Sequence, residues 1–229
     1  MKHILAIIKK QLKDTVKNKT ILIQFILFPM ITVIMSNAVK IDDMPKNFFV
    51  YLFATMYVGM APLTSVAAII AEEKEHGILK ILQFMNVSAT EYLIGIGGYV
   101  FFICMVCSVT FPVCGNFSLK ESILFLIIMA LGILISVILG AVIGCLSGNQ
   151  MSATSITIPV MMVLSFMPMI AIFNANIAKI SKYLYSGQIQ ILLSGNLRPA
   201  KENILILIGN MIIVFVLFLI TYKKAFQNR

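Results

Sequence analysis

The sequence predicts an all-α, polytopic membrane protein. Six transmembrane helices follow an N-terminal interfacial amphipathic helix. A short cytoplasmic helix joins spans 2 and 3, and a partly inserted helical segment joins spans 5 and 6. Three observations carry this prediction. First, 60% of the 229 residues are hydrophobic, only 12% are charged, and the mean hydropathy is +0.98. A soluble domain has about 25% charged residues, so this chain cannot build a water-facing surface all round. Second, six windows reach the roughly 20 apolar residues that span a bilayer, at about 20–39, 48–71, 93–114, 122–146, 154–174 and 203–222. Third, none of them holds Asp, Glu, Lys, Arg or His away from its edges. A charge at mid-bilayer costs about 2.5–3.5 kcal/mol on insertion scales, so the absence is informative. The whole of 1–229 reads as a single transmembrane domain.

Residues 1–19 place Ile4, Ile8, Leu12 and Val16 at four-residue intervals, with Leu5 and Ile7 beside them and lysines elsewhere. That pattern is an amphipathic helix lying in the membrane interface, apolar stripe inward and lysines at the headgroups. Ser36-Asn37-Ala38 loosely resembles a signal-peptidase site, but the basic region is too long and further spans follow. Span 1 carries Pro29 and span 2 carries Gly59 and Pro62. A proline inside a span frees a backbone carbonyl, which a neighbouring helix has to satisfy.

Span 4 places Gly132, Ser136, Gly140 and Gly144 every fourth residue, with Gly148 just beyond. Such a small-residue stripe lets another backbone approach closely and predicts helix packing along this face. Its partner is expected within the same subunit rather than in a second one. Span 5 contains Pro159 and Pro168. Residues 175–202 are too polar to span and read as two half-inserted helices broken at Ser186-Gly187. The lysine and arginine bias puts both termini, and the segment between spans 2 and 3, in the cytoplasm.

That segment, 72–92, holds Glu72, Glu73, Glu75 and Glu91, four of the nine acidic residues. After Gly77, Ile78, Ile81, Leu82 and Met85 follow the i, i+3, i+4, i+7 rule, and Leu79 and Phe84 widen the stripe. The spacing predicts an amphipathic helix of nine or ten residues between Gly77 and Val87, about 15 Å long. Ser88-Ala89-Thr90-Glu91 is a capping box that starts span 3, with Val87 and Tyr92 at the staple positions. Spacing alone leaves two readings open: a connector lying in the interface, or a helix that docks a partner.

Glu73, Glu75, Gly77, Leu79 and Leu82, then Ser88, Glu91 and Gly95, resemble the motif of ABC-2-type ATP-binding-cassette transporter permeases. The layout of basic interfacial helix, six spans and a partly inserted segment before the last span is similar as well. Departures from the usual pattern are Ile78 for Thr, Lys80 for Glu, Asn86 for Pro and Ile96 for Lys. The resemblance implies a coupling helix around 72–86, with Glu73, Glu75, Gly77, Ile78, Leu79, Ile81, Leu82 and Met85 docking an ABC ATPase subunit. It implies a second permease subunit, as a homo- or heterodimer, and a pathway among spans 1, 2 and 5 for an exported substrate. An immunity or sensory subunit of such a system is the nearest alternative.

Other function classes lack their residues. No G-x-x-x-x-G-K-[ST] is present, in keeping with ATP hydrolysis on a separate chain. An ion-coupled secondary transporter needs ionisable groups within the spans, and an intramembrane hydrolase needs His, Glu or Asp clusters there. No catalytic residue, metal site or cofactor is expected. Cys104 and Cys107 form a C-x-x-C inside an apolar span and read as packing residues. The net charge of +9 is spread over span ends, where lysines meet anionic lipid, and predicts no nucleic-acid binding. Abundant Ile and Lys with no Trp suggests a bacterial cell membrane.

Overall fold

The computed structural model describes residues 2–17, 19–39, 45–195, 197 and 200–226. The chain is an all-α polytopic membrane protein, and no strand occurs among the described residues. Its helices are α1 (Lys2–Lys17), α2 (Lys19–Ala38), α3 (Phe48–Glu75), α4 (Ile78–Phe84), α5 (Ala89–Ser108), α6 (Thr110–Cys114), α7 (Leu119–Leu146), α8 (Gln150–Ala171), α9 (Ala175–Ser181), α10 (Tyr185–Ser194) and α11 (Lys201–Phe226). Among the described residues, five apolar stretches are long enough to cross a membrane: α3, α5 with α6, α7, α8 and α11. The sixth expected span coincides with α2, a helix of 20 residues with no charged residue after Lys19.

Helix α3 is the centre of the bundle and α11 its margin: 78% of the α3 span is buried inside the protein, against 17% for α11. Around α3 pack α7, α8, α2, α10 and α5. The closest approach is the seam with α7. A Cβ built on Gly140 would stand 2.6 Å from the Leu63 carbonyl oxygen, and one on Gly144 would stand 2.7 Å from Ile70 Cβ. Gly132 faces Val58 in the same way, and Gly148 faces open space. The small-residue face of α7 therefore lies on α3 of the same chain, backbone against backbone.

Pro62 leaves the Val58 carbonyl without its helical donor. Ser136 of α7 supplies one, its hydroxyl donating to that oxygen at 2.6 Å. The Tyr185 hydroxyl lies 2.6 Å from the same Ser136 oxygen. Serine has a single hydroxyl proton and gives it to Val58, so Tyr185 is the donor in the second bond. One proline, one serine and one tyrosine thus tie α3, α7 and α10 together in the apolar core. On the other flank, Gly59 brings α3 onto α8: its Cβ would meet Leu164 backbone atoms at 2.9 Å, and Ser165 donates to the Met56 carbonyl at 3.2 Å.

Span 3 is broken at Val109. Pro112 cannot donate to the Ser108 carbonyl four residues back, and the bond there tightens to Val109 N–H on Val106. The segment before α11 divides at Lys182–Leu184 rather than at Ser186-Gly187, which lie inside α10 and are buried. The glycine is there for contact, since a Cβ on Gly187 would fall 2.0 Å from the Ser181 carbonyl oxygen. Tyr185, Ile189, Leu192 and Leu193 sink α10 into the bundle, while Lys182 and Tyr183 at the break before it are exposed.

At the end of the bundle remote from α4, two asparagines take left-handed backbone, Asn47 at φ 62° and Asn116 at φ 50°. Asn47 donates its side-chain amide to the Gly115 carbonyl at 3.1 Å, joining the turns before α3 and α7. Ser118 and Glu121 form a second capping box, which sets the start of α7 at Leu119. Its S-x-x-E signature is legible in the sequence but is not among the expectations above.

The seam makes a simple prediction. Gly140→Leu has to displace α3 backbone and should destabilise the bundle by about 1–3 kcal/mol, as overpacked cores do. Gly148→Leu should leave stability unchanged. Thermal unfolding in detergent reads both, and equal melting of the two variants would contradict the seam.

Candidate functional site

The end of α3 and the short α4 after it form the site. Helix α3 runs past its apolar part through Glu72, Glu73, Lys74 and Glu75, and each of the last three reaches a different helix. Glu73 is buried, on the same α3 face as Ile69 and Ile70. A buried carboxylate needs charged or hydrogen-bonding partners. It receives the Lys10 ammonium as an ion pair and the Gln11 amide at 2.8 Å, both from α1. The buried Tyr92 phenol of α5 sits beside it. Lys74 donates to the carbonyls of Cys145 and Ser147 at 2.8 and 2.6 Å, satisfying the C-terminal end of α7. Glu75 accepts the Gln150 N–H at 2.9 Å, at the first turn of α8.

Three consecutive residues therefore bind α1, α7 and α8 to the end of α3. The sequence signal for Glu73 is its position one turn beyond Ile69 and Ile70, on a face that is otherwise apolar. An acid there has to be paired. Its partners Lys10 and Gln11 were not legible, because both read as part of a solvated lysine face. The side of α1 that packs against α5 is Ile7, Gln11 and Thr15, all buried. Ile7 lies over Gly95, where a Cβ would come within 2.8 Å of it, and Tyr99 donates to the Thr15 hydroxyl. Of the stripe expected to enter the membrane, Ile4 and Ile8 are half-buried, Leu12 is exposed, and the Val16 side chain lies outside the described residues. Leu5 is also exposed.

Gly77 ends α3. The His76 N–H returns to the Glu72 carbonyl at 3.0 Å and the Gly77 N–H to Lys74 at 3.2 Å. Gly77 then turns the chain at φ +69°, a conformation any Cβ would strain. Helix α4 has seven residues, Ile78–Phe84, shorter than the nine or ten expected. It stops because Asn86 adopts φ 57° and the Val87 N–H closes on the Leu82 carbonyl at 3.0 Å, a Schellman end. Proline, with φ fixed near −65°, could not occupy position 86 here. Ser88 and Glu91 then form their capping box: the Ser88 hydroxyl accepts the Glu91 N–H at 3.2 Å, and Glu91 accepts the Ser88 N–H at 3.2 Å. Val87 and Tyr92, the staple pair, are both buried.

Two turns fix α4 at both ends, and its faces divide. Leu79 and Leu82 pack against the core, and Ile78 is half-buried. Ile81, Met85 and above all Phe84, at 88% exposure, point away from the protein. Of the residues singled out for docking, Ile81 and Met85 thus share the outward face, while Leu79 and Leu82 anchor the helix and Glu73, Glu75 and Gly77 hold its root. Phe84 completes the outward face. Among the described residues no group of His, Cys, Asp or Glu is placed to hold a metal.

The fold and this hub define an all-α polytopic membrane protein whose helices meet at one end of α3. A family model described as ABC-2 family transporter protein matches residues 2–222, and the chain belongs to that family. It is an ABC transporter permease. No curated protein matches the chain.

Glu73→Ala should release α1. The loss of two hydrogen bonds to a buried carboxylate should cost about 1–3 kcal/mol, since Lys10 is half-exposed and can be rehydrated. Hydrogen exchange in α1 should accelerate while α7 stays protected. Unchanged exchange in α1 would show that Glu73 does not hold it.

Proposed function

We propose that the chain is one membrane-spanning half of an exporter driven by separate ATPase subunits. In this reading α4 is the coupling helix. The observation that carries it is the outward face of Ile81, Phe84 and Met85 on a helix locked by Gly77 and Asn86 and rooted in three other helices. An apolar cluster on a polar connection is the kind of patch that marks a protein contact. A short, stiff helix also transmits a push rather than bending under it. The hub supports the next step: movement of α4 would carry α3, α1 and the α7–α8 corner with it. A second permease copy or paralogue completes the pathway in this proposal, and both termini and α4 lie in the cytoplasm of a bacterial cell.

A cavity of about 180 Å³ between α2, α3 and α8 supports a pathway on that side of α3. Gln24, Thr64, Thr154 and Thr157 line it, polar groups among apolar spans. Such groups inside a membrane protein usually face a cavity or a partner rather than lipid.

Replacing Ile81 and Phe84 together with Asp should lower co-purification of a co-expressed partner ATPase by at least about tenfold, the loss expected when a central contact pair is removed. Yield of the permease itself should hold, because both side chains are exposed. Leu79→Asp with Leu82→Asp should instead lower the yield. ATPase retention by the Ile81/Phe84 variant would overturn the docking proposal. A cysteine at Phe84 should react with a membrane-impermeant maleimide only from the cytoplasmic side, and labelling from outside would invert the orientation.

A further inference from the structure

On the flank away from α2 and α8, helices α5, α7 and α11 enclose an apolar groove of about 540 Å³. Its walls include Gly98 and Phe101 of α5, Val137 and Ala141 of α7, and Phe215 and Phe218 of α11. Gly97 and Gly98 open it: a Cβ on Gly98 would meet nothing within 4 Å. The rim is polar and stands at the end of the bundle that carries α4. There Thr90 and Tyr222 bring their hydroxyls to 3.2 Å. Lys223 beside them is exposed, and so are Lys9 and Lys13 of α1, the helix that packs on α5. Glu91, the residue after Thr90, accepts from the Ser88 N–H and hydroxyl.

We infer that this groove binds one acyl chain of an anionic phospholipid, whose phosphate sits at the Thr90–Tyr222 rim beside Lys223. The length of the groove favours this occupant. From Thr90 to Phe101 along α5 is about 16 Å. One leaflet of hydrocarbon is about 15 Å deep, half of a bilayer core. The groove therefore begins where the headgroups lie and closes where an acyl chain ends. All three walls belong to membrane-spanning stretches, so hydrocarbon chains are what surrounds them. Exposed Lys223, next in the chain to the rim residue Tyr222, adds selectivity, since a lysine near the surface favours anionic lipid by a factor of about five. The inference is independent of what α4 docks.

The test uses the full-length chain in vesicles that contain phosphatidylglycerol or phosphatidylcholine with a photoactivatable group on the acyl chain. Labelled peptides are mapped by mass spectrometry. With phosphatidylglycerol, label should concentrate on Phe101, Val137 and Phe215 over outward positions such as Leu205 and Ile213. Gly98→Leu should fill the groove and abolish that excess, while Gly98→Ala should keep it. Phosphatidylcholine should label the groove about fivefold less, and Lys223→Gln should remove the difference. Groove labelling no higher than at Leu205 would overturn the inference, as would an excess that survives Gly98→Leu or is lost in Gly98→Ala. Equal labelling by the two lipids would overturn the anionic assignment.

Discussion

A carboxylate buried at the end of the central helix constrains this protein more than any other single group. Glu73 leaves water only because α1 delivers Lys10 and Gln11 to it. Its neighbours Lys74 and Glu75 hold the end of α7 and the beginning of α8. Helix ends leave carbonyls and N–H groups unsatisfied, and here the side chains of one helix terminus satisfy those of two others. The result is a junction of four helices, from which α4 projects by one glycine turn.

The apolar part of the bundle follows a different rule. Within lipid there is little hydrophobic force between helices, so close packing and buried hydrogen bonds hold them. The α3–α7 seam uses both: Gly140 and Gly144 admit α3 backbone, and Ser136 answers the carbonyl that Pro62 strands. Pro62 loosens α3 in isolation and joins it to α7 and α10 in the assembled bundle. Helices α3 and α7 therefore form the centre of the bundle, and α11 lies on its outside.

Several features are legible in the residues. Charge-free windows coincide with the long helices, the four-residue spacing lies on the α7 face that meets α3, and S-x-x-E stands at the start of α5. These features rest on local rules that need no knowledge of neighbours. What could not be read depends on which helices meet. Lys10 and Gln11 look like solvated residues until α1 lies beside α3 and α5. Gly187 looks like a helix breaker until the Ser181 carbonyl is seen to need its space. The left-handed turn at Asn86 shortens α4 and sends Leu79 and Leu82 inward, which spacing alone treats as equivalent to Ile81 and Met85.

The outward face of α4 and the junction at its root support one account: force applied at Phe84 reaches α1 and the α7–α8 corner as a rigid displacement. Spin labels at Phe84 and at Met151, both strongly exposed, would measure this directly. In the proposed assembly of two such subunits with ATPases, double electron–electron resonance should give the same Phe84-to-Met151 distance within one subunit with and without ATP. The distance between Phe84 positions of the two subunits should change. A change within the subunit of the same size as the one between subunits would contradict the account, because α4 would then move on its own.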